Sequence, residues 1–165
     1  MPLQLANVDM GLIVRSAAES FGEEARSAGI DLRVLADGHR LVVAGDEGRL
    51  TQVIYNLTTN ALKFTPEGGT VTLRAVGDDD GVTVAVQDTG QGIDPDALTG
   101  LFQPFVQLHD DPDRKGSGLG LYVSRGIVEA HGGSIDGNSE GKGRGATFTV
   151  HLPVGPASMT PTRGV

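Results

Sequence analysis

At Gly69 the hydrophobic period of the chain changes, and that change limits what the rest can build. Upstream, from Asp46, apolar residues fall at Leu50, Val53, Ile54, Leu57, Ala61, Leu62 and Phe64. This i, i+3, i+4 spacing predicts a helix with one buried stripe, ended by Pro66 and Gly68-Gly69. Downstream, Val71, Leu73 and Ala75 alternate with Thr70, Thr72 and Arg74, and Val82, Val84 and Val86 alternate with Thr83, Ala85 and Gln87. Period two on both sides of Asp78-Asp79-Asp80-Gly81 predicts a hairpin. One apolar stripe running into one apolar sheet face predicts helices layered on a sheet.

The other segments extend that plan. From Asp9, a cap candidate, Leu12, Ile13, Ala17, Phe21 and Ala25 keep helical spacing as far as Gly29. The runs DLRVLA (31–36) and LVVA (41–44) read as strands around a turn at Asp37-Gly38. Pro95 stands at the first position of a short helical turn, 94–98. Residues 99–116 mix apolar anchors with a polar, proline-broken tail; this is long for a plain connection, reads as a lid, and is expected to be mobile over 106–116 in an empty site. A helix is predicted over 117–131, stopped by Gly132-Gly133, with strands at 134–136 and 146–152 joined by EGKGRG. Residues 1–8 read as a lead-in, 9–153 as the domain and 154–165 as a loose tail. The predicted class is a two-layer α/β sandwich, a mixed and mainly antiparallel sheet of about five strands under about three helices.

Composition narrows the function. A chain of 165 residues suits one domain. Zero cysteines exclude disulfides and thiolate metal sites. A net charge of −8, with 13 basic residues scattered along the chain, argues against a nucleic-acid surface, so a polyanion would have to be held by a few placed groups. No apolar run approaches the roughly 18 residues of a membrane span, and Met1-Pro2-Leu3 begins no signal peptide. The 25 glycines gather at 90–92, 116–120 and 132–145, as functional loops do.

Four stretches could carry chemistry. Asn56 and Asn60 lie one turn apart on a helix face, with Lys63 following. Hard neutral oxygens beside a point cation suit a magnesium–phosphate group, and two asparagines equally suit tying down neighbouring backbone. Asp88 ends a strand before Gly90 and Gly92; it could accept a hydrogen bond from the amino group of adenine, with glycines letting backbone approach the ring, or simply close a tight turn. Gly116-Ser117-Gly118-Leu119-Gly120 opens a helix, as a phosphate site or a hinge would. Arg114 and Lys115 could reach a phosphate or stand solvated. The four histidines share no metal-ligand spacing and are assigned no role.

In order, NLTTNALKFT (56–65), DTGQGI (88–93), LFQPF (101–105) and GSGLGL (116–121) resemble the N box, first glycine box, F box and second glycine box of bacterial sensor histidine kinases. GGSI (132–135) and GATFTVHLP (145–153) fit the closing strands, so the resemblance to that catalytic ATP-binding domain, of the GHKL superfamily, covers roughly 8–153. The resemblance implies a Bergerat-type fold with an ATP lid, and ATP and Mg2+ as ligands. It makes Asn60 the principal magnesium ligand with Asn56 near it, Lys63 a phosphate contact, and Phe64 a wall of the site. Asp88 would read adenine, with Gly90, Gly92 and Ile93 beside the ring. Gly116, Gly118, Leu119 and Gly120 would let the lid close, with Arg114 and Lys115 reaching the phosphates. Phe102 and Phe105 would anchor the near end of the lid, and Thr147 would support Asp88 through water.

Superfamily members that hydrolyse ATP carry a glutamate base where this chain has Asn56, which takes no proton near pH 7. The resemblance therefore implies γ-phosphoryl transfer to a histidine on a separate dimerisation domain, then relay to a response regulator receiver domain. No H-E-x-x-x-P stretch occurs in the chain to supply that histidine. The expectation is a cytoplasmic, monomeric module without nucleic-acid or membrane contact. The competing readings are a nucleotide-gated interaction module and a self-sufficient ATPase.

Overall fold

The computed structural model describes residues 2–36, 41–106 and 118–154. Its elements are β1 (Ala6–Asp9), α1 (Met10–Ser27), β2 (Asp31–Ala36), β3 (Val42–Gly45), α2 (Glu47–Lys63), β4 (Thr70–Gly77), β5 (Gly81–Asp88), α3 (Pro95–Leu98), α4 (Gly120–Ala130), β6 (Ser134–Asn138) and β7 (Ala146–Pro153). Five strands form one sheet in the order β2-β4-β5-β7-β6, and β1 and β3 form a separate ribbon. Only β2 and β4 run parallel in the larger sheet.

Alternation decides which face the helices cover. Val71, Leu73 and Ala75 of β4, Val82, Val84 and Val86 of β5, and Phe148, Val150 and Leu152 of β7 are buried, while their neighbours along each strand are more exposed. The apolar stripes of α1, α2 and α4 pack on this face, with Leu50, Val53, Ile54 and Leu57 of α2 in the middle of the core. The result is the expected two-layer sandwich.

Aspartates cap three of the helix starts, Asp9 among them as expected. Asp9 accepts from the N–H groups of Gly11 and Leu12, Asp46 from Arg49, and Asp94 from Asp96 with Pro95 at the first position of α3. At its far end α2 stops at Lys63, and Phe64 caps it through an N–H donated to Asn60.

Some elements differ from the sequence reading. Residues 6–8, expected as lead-in, belong to β1, which pairs antiparallel with β3 and delivers Asp9 to cap α1. β2 and β3 do not pair. The Gly68 N–H donates to Gly29 at 2.8 Å and the Asp31 N–H to Gly69 at 2.9 Å, so β2 starts level with β4 and runs beside it. β3 is then left to β1, helped by the Met10 N–H donated to Leu41 at 2.8 Å. The last helix begins at Gly120. The turn at Asp37-Gly38, the 107–116 part of the expected lid, position 117 of the expected last helix and residues 155–165 of the expected tail lie outside the described residues.

Candidate functional site

The sequence places a carboxylate at the C-terminal end of β5, and the fold puts a pocket over it. Asn60, Ala61 and Phe64 at the end of α2 form one wall of that pocket; Asp88, Gly92 and Ile93 form the base, and Ala146 and Phe148 of β7 form the far side. After α2 the chain turns over residues 64–69 into β4, whose first residues pair with the C-terminal end of β5 (Val71 opposite Asp88), so the last turn of α2 and Asp88 share the pocket.

Asp88 is 8% exposed. Its Oδ1 accepts from the Gly90 N–H at 2.8 Å and the Ala146 N–H at 3.2 Å. Oδ2 has no hydrogen-bond partner among the described residues, while the side chain lines the pocket. Burial pushes the carboxyl pKa up, and the two backbone N–H groups pull against that shift. The site thus offers one fixed, partly desolvated acceptor to whatever donor enters.

The glycines serve this geometry differently from the sequence reading. A Cβ on Gly90 would stand 2.2 Å from the Phe64 carbonyl oxygen, and a Cβ on Gly92 (φ +72°) would stand 2.0 Å from that of Gly141. Both positions let protein backbone approach protein backbone: the loop is pressed between the end of α2 and the β6–β7 turn. Only Gly92 also lines the pocket.

The two asparagines separate. Asn60 lines the pocket, and its side chain makes no hydrogen bond with another described residue. Asn56, one turn earlier, donates through Nδ2 to the Oγ of Ser124 on α4 at 3.4 Å; Ser124 is fully buried. Lys63 is half-buried in the last turn of α2, outside the pocket lining. No group of three or more His, Asp or Glu that could hold a metal by itself occurs among the described residues, so a cation at Asn60 would need oxygens from its ligand.

Of the lid anchors, Phe102 packs on the core with its ring edge-on to Phe148 at 6.4 Å. Phe105 does not anchor through its ring, which is 73% exposed. Its backbone does the holding: Phe105 sits at φ +64° and donates its N–H to Gly118 at 2.8 Å. Gly118 (φ +75°) is required there, since a Cβ would meet the Phe105 Cα at 2.7 Å. Leu119 and Gly120 lead directly into α4, with Leu119 at its N-cap. Arg114, Lys115 and Gly116 lie outside the described residues.

Thr147 is turned away from the site. In the register Asp88 faces Ala146 and Gln87 faces Thr147, and neighbours on a strand point to opposite faces. The residue that meets Asp88 is Ala146, by its backbone N–H. Sequence reasoning also missed Ser124, whose place in an apolar helix gave no signal, and Ser139, which donates to Gly145 and accepts from Ile93.

With this geometry in view, comparison with known proteins is specific. Residues 45–156 match the family described as histidine kinase-, DNA gyrase B-, and HSP90-like ATPase. The chain is 39% identical to histidine protein kinase DivJ of Caulobacter vibrioides over 97% of its own length and 27% of that protein's. It is 36% identical to sensor histidine kinase ZraS of Escherichia coli K12 over 92% of its length and 32% of that protein's. It therefore spans only about a third or less of these relatives. Among solved structures, full-length ShkA in complex with AMPPNP superposes with a TM-score of 0.82 at 36% identity, covering 95% of this chain and 32% of that one. The nucleotide-free catalytic domain of histidine kinase ThkA also gives 0.82, at 28% identity, covering 93% of this chain and 100% of that one. ThkA in complex with the response regulator TrrA gives 0.75 at 28% identity, over 90% and 41% of the respective chains. A pocket built from the end of a helix, a buried strand-end aspartate and a glycine loop, in a sandwich of this topology, agrees with those matches: the chain belongs to the histidine kinase-, DNA gyrase B- and HSP90-like ATPase family, and its relatives in it are sensor histidine kinases.

Proposed function

We propose that residues 9–153 bind Mg-ATP and present its γ-phosphoryl group to a histidine on a separate dimerisation domain, from which it passes to the receiver domain of a response regulator. The observation that carries the reading is Asp88, a lining residue of the pocket, with one oxygen held by two backbone N–H groups and the other without a partner among the described residues. That oxygen suits the exocyclic amino group of adenine; guanine carries a carbonyl at the same position. Phe64, Ile93 and Phe148 supply apolar walls for a flat ring.

Asn60 fits a magnesium ligand, because its amide lines the pocket without a partner among the described residues. Bound there with the phosphates, Mg2+ would neutralise charge on the transferring group. Lys63 is assigned to the phosphates from its place in the last turn of α2. The N-terminus of α4, which follows the second glycine stretch, is assigned to the same anion. In the transfer, the bond from the γ-phosphorus to the ADP oxygen breaks as a bond to an imidazole nitrogen forms, and the imidazole gives up its proton. Asn56 supplies no base to activate water, and its amide is engaged with Ser124. The AMPPNP bound to ShkA and the regulator bound to ThkA support the ligand and partner assignments. No helix among the described residues is long and apolar enough to cross a membrane, and we place the domain on the cytoplasmic side, where ATP is found.

Calorimetry with ATP and GTP, with and without magnesium, tests the pocket: tight ATP and weak GTP are expected, and equal affinities would overturn the adenine assignment. Labelled ATP with a histidine-bearing dimerisation domain should give acid-labile phosphohistidine. Bound ATP without that product would favour the nucleotide-gated module. Phosphate release by the chain alone at about 1 per second or more would overturn the reading of Asn56.

A further inference from the structure

The glycine loop at the base of the pocket contains no regular secondary structure from Gln91 to Asp94, so something outside it must fix its shape. The β6–β7 turn does so. Gly143 donates its N–H to Gln91 at 2.6 Å, and Gly145 donates to Gly90 at 3.1 Å. Gly92 lies so close to Gly141 that no Cβ fits between them. At the centre of this contact is the hydroxyl of Ser139. Its Oγ accepts from the Ile93 N–H at 3.0 Å and from the Gly141 N–H at 3.1 Å, and donates to the Gly145 carbonyl at 2.6 Å. A serine hydroxyl has one proton and two lone pairs, and all three are used.

We propose that Ser139 is a positioning residue of the nucleotide site, which sets the position of Gly92 and Ile93 under the base by tying the glycine loop to the β6–β7 turn. This rests on the adenine-nucleotide reading of the pocket. The side chain does not line the pocket; it acts through the Ile93 N–H, and Ile93 and Gly92 do line it. Removing the hydroxyl leaves that N–H, at a residue 2% exposed, without its acceptor. The loop then has to be ordered by the ligand, and the cost falls on the base end of the nucleotide, whatever phosphates follow.

The test is calorimetric titration of the wild-type chain, Ser139→Ala and Ser139→Thr with ATP, ADP and adenosine. Ser139→Ala is expected to weaken all three by the same factor, about tenfold. Ser139→Thr, which keeps the hydroxyl, is expected to restore most of the affinity. In phosphotransfer to a dimerisation domain, KM for ATP should rise with kcat unchanged. A lowered melting temperature with unchanged affinities would overturn the proposal, as would a loss confined to ATP or an alanine variant that no longer folds. If the wild-type chain bound none of the three ligands, the adenine reading itself would fail, whereas tight wild-type binding matched by Ser139→Ala would remove only the role of Ser139.

Discussion

Asp88→Asn exchanges one carboxylate oxygen for an NH2 group at the buried end of β5 and changes almost nothing in shape. Oδ1 can keep both of its bonds, from Gly90 and Ala146, because an amide oxygen accepts as a carboxylate oxygen does. The amide nitrogen then takes the place of Oδ2, the atom without a described partner. A donor now meets the amino group of adenine, which is also a donor. Losing a hydrogen bond to a charged acceptor costs about 1.5–3 kcal/mol. That is a weakening of roughly 10- to 150-fold in ATP affinity. Stability moves the other way. Burial raises the Asp88 carboxyl pKa, so the folded state holds that proton more tightly than the unfolded state. The charged form therefore costs stability, a cost absent below the ordinary aspartate value that grows as pH rises through the shifted one. Asparagine removes the titration, so the ligand-free variant should melt no lower than the parent at pH 7, and the gap should narrow on acidification. Calorimetric titration with ATP, paired with thermal melts across pH 3–8, reads both effects. A variant that bound ATP like the parent would refute the adenine assignment. One that melted well below it at pH 7 would refute the burial argument.

Asn60→Ala should cut ATP affinity in the presence of magnesium and leave the magnesium-free affinity nearly unchanged; equal losses would make Asn60 a structural asparagine. Asp46 is held below the usual carboxylate range chiefly by the Gln4 N–H, and also by the Arg49 N–H and the nearby charge of Arg49, against some desolvation. Its contribution is therefore present above the ordinary aspartate value and lost as pH falls through the lowered one, so Asp46→Ala should flatten the acid limb of a stability–pH curve. Gly126 lies mid-helix in α4, exposed, and a Cβ there meets nothing within 4 Å. Gly126→Ala should add about 1 kcal/mol, a rise of about 2–4 °C in Tm, with nucleotide binding unchanged.

Local order was legible in the sequence where one element settles its own outcome. The stripe from Leu50 to Phe64, the alternation from Val71 to Gln87 and the cap at Asp9 all stand as read, because period and capping are properties of neighbours in the chain. Strand partners are not. Nothing in DLRVLA says that it lies parallel to β4; that follows from hydrogen bonds joining Gly29 and Asp31 to Gly68 and Gly69, about forty residues on. Site residues failed where one position of register decides the face. Thr147 and Ala146 are adjacent, yet only one can lie on the side of Asp88, and the pairing of β5 with β7 makes it Ala146. Phe105 shows another limit, since its motif marks the right place while the backbone, and not the ring, makes the contact with Gly118. Ser139 was invisible because its three bonds reach Ile93, Gly141 and Gly145, and a lone serine before a glycine turn carries no pattern.

α2 joins these pieces into one device. Its C-terminal turn supplies Asn60 and Phe64 to the pocket, and the Phe64 carbonyl accepts from the Gln91 N–H at 3.0 Å, so helix and glycine loop are locked in register. Its middle is tied to α4 by Asn56 and Ser124. Its start is tied to the end of α4 by His131, whose Nε2 lies 3.0 Å from the Asp46 N–H while Nδ1 lies 2.8 Å from the Ile127 carbonyl. An N–H on one side and a carbonyl on the other require Nδ1 to carry the proton and Nε2 to accept, so the neutral ring with that tautomer is the one that joins both ends. α4 in turn begins two residues after Gly118, which pairs with Phe105. The two helices are thus tied at one end and in the middle of their contact, and the side chain of Asn56 is a brace between them. A glutamate at 56 would lack the donor that Asn56 offers Ser124, so the fully buried hydroxyl would have to turn and donate to the new carboxylate to keep the two helices tied.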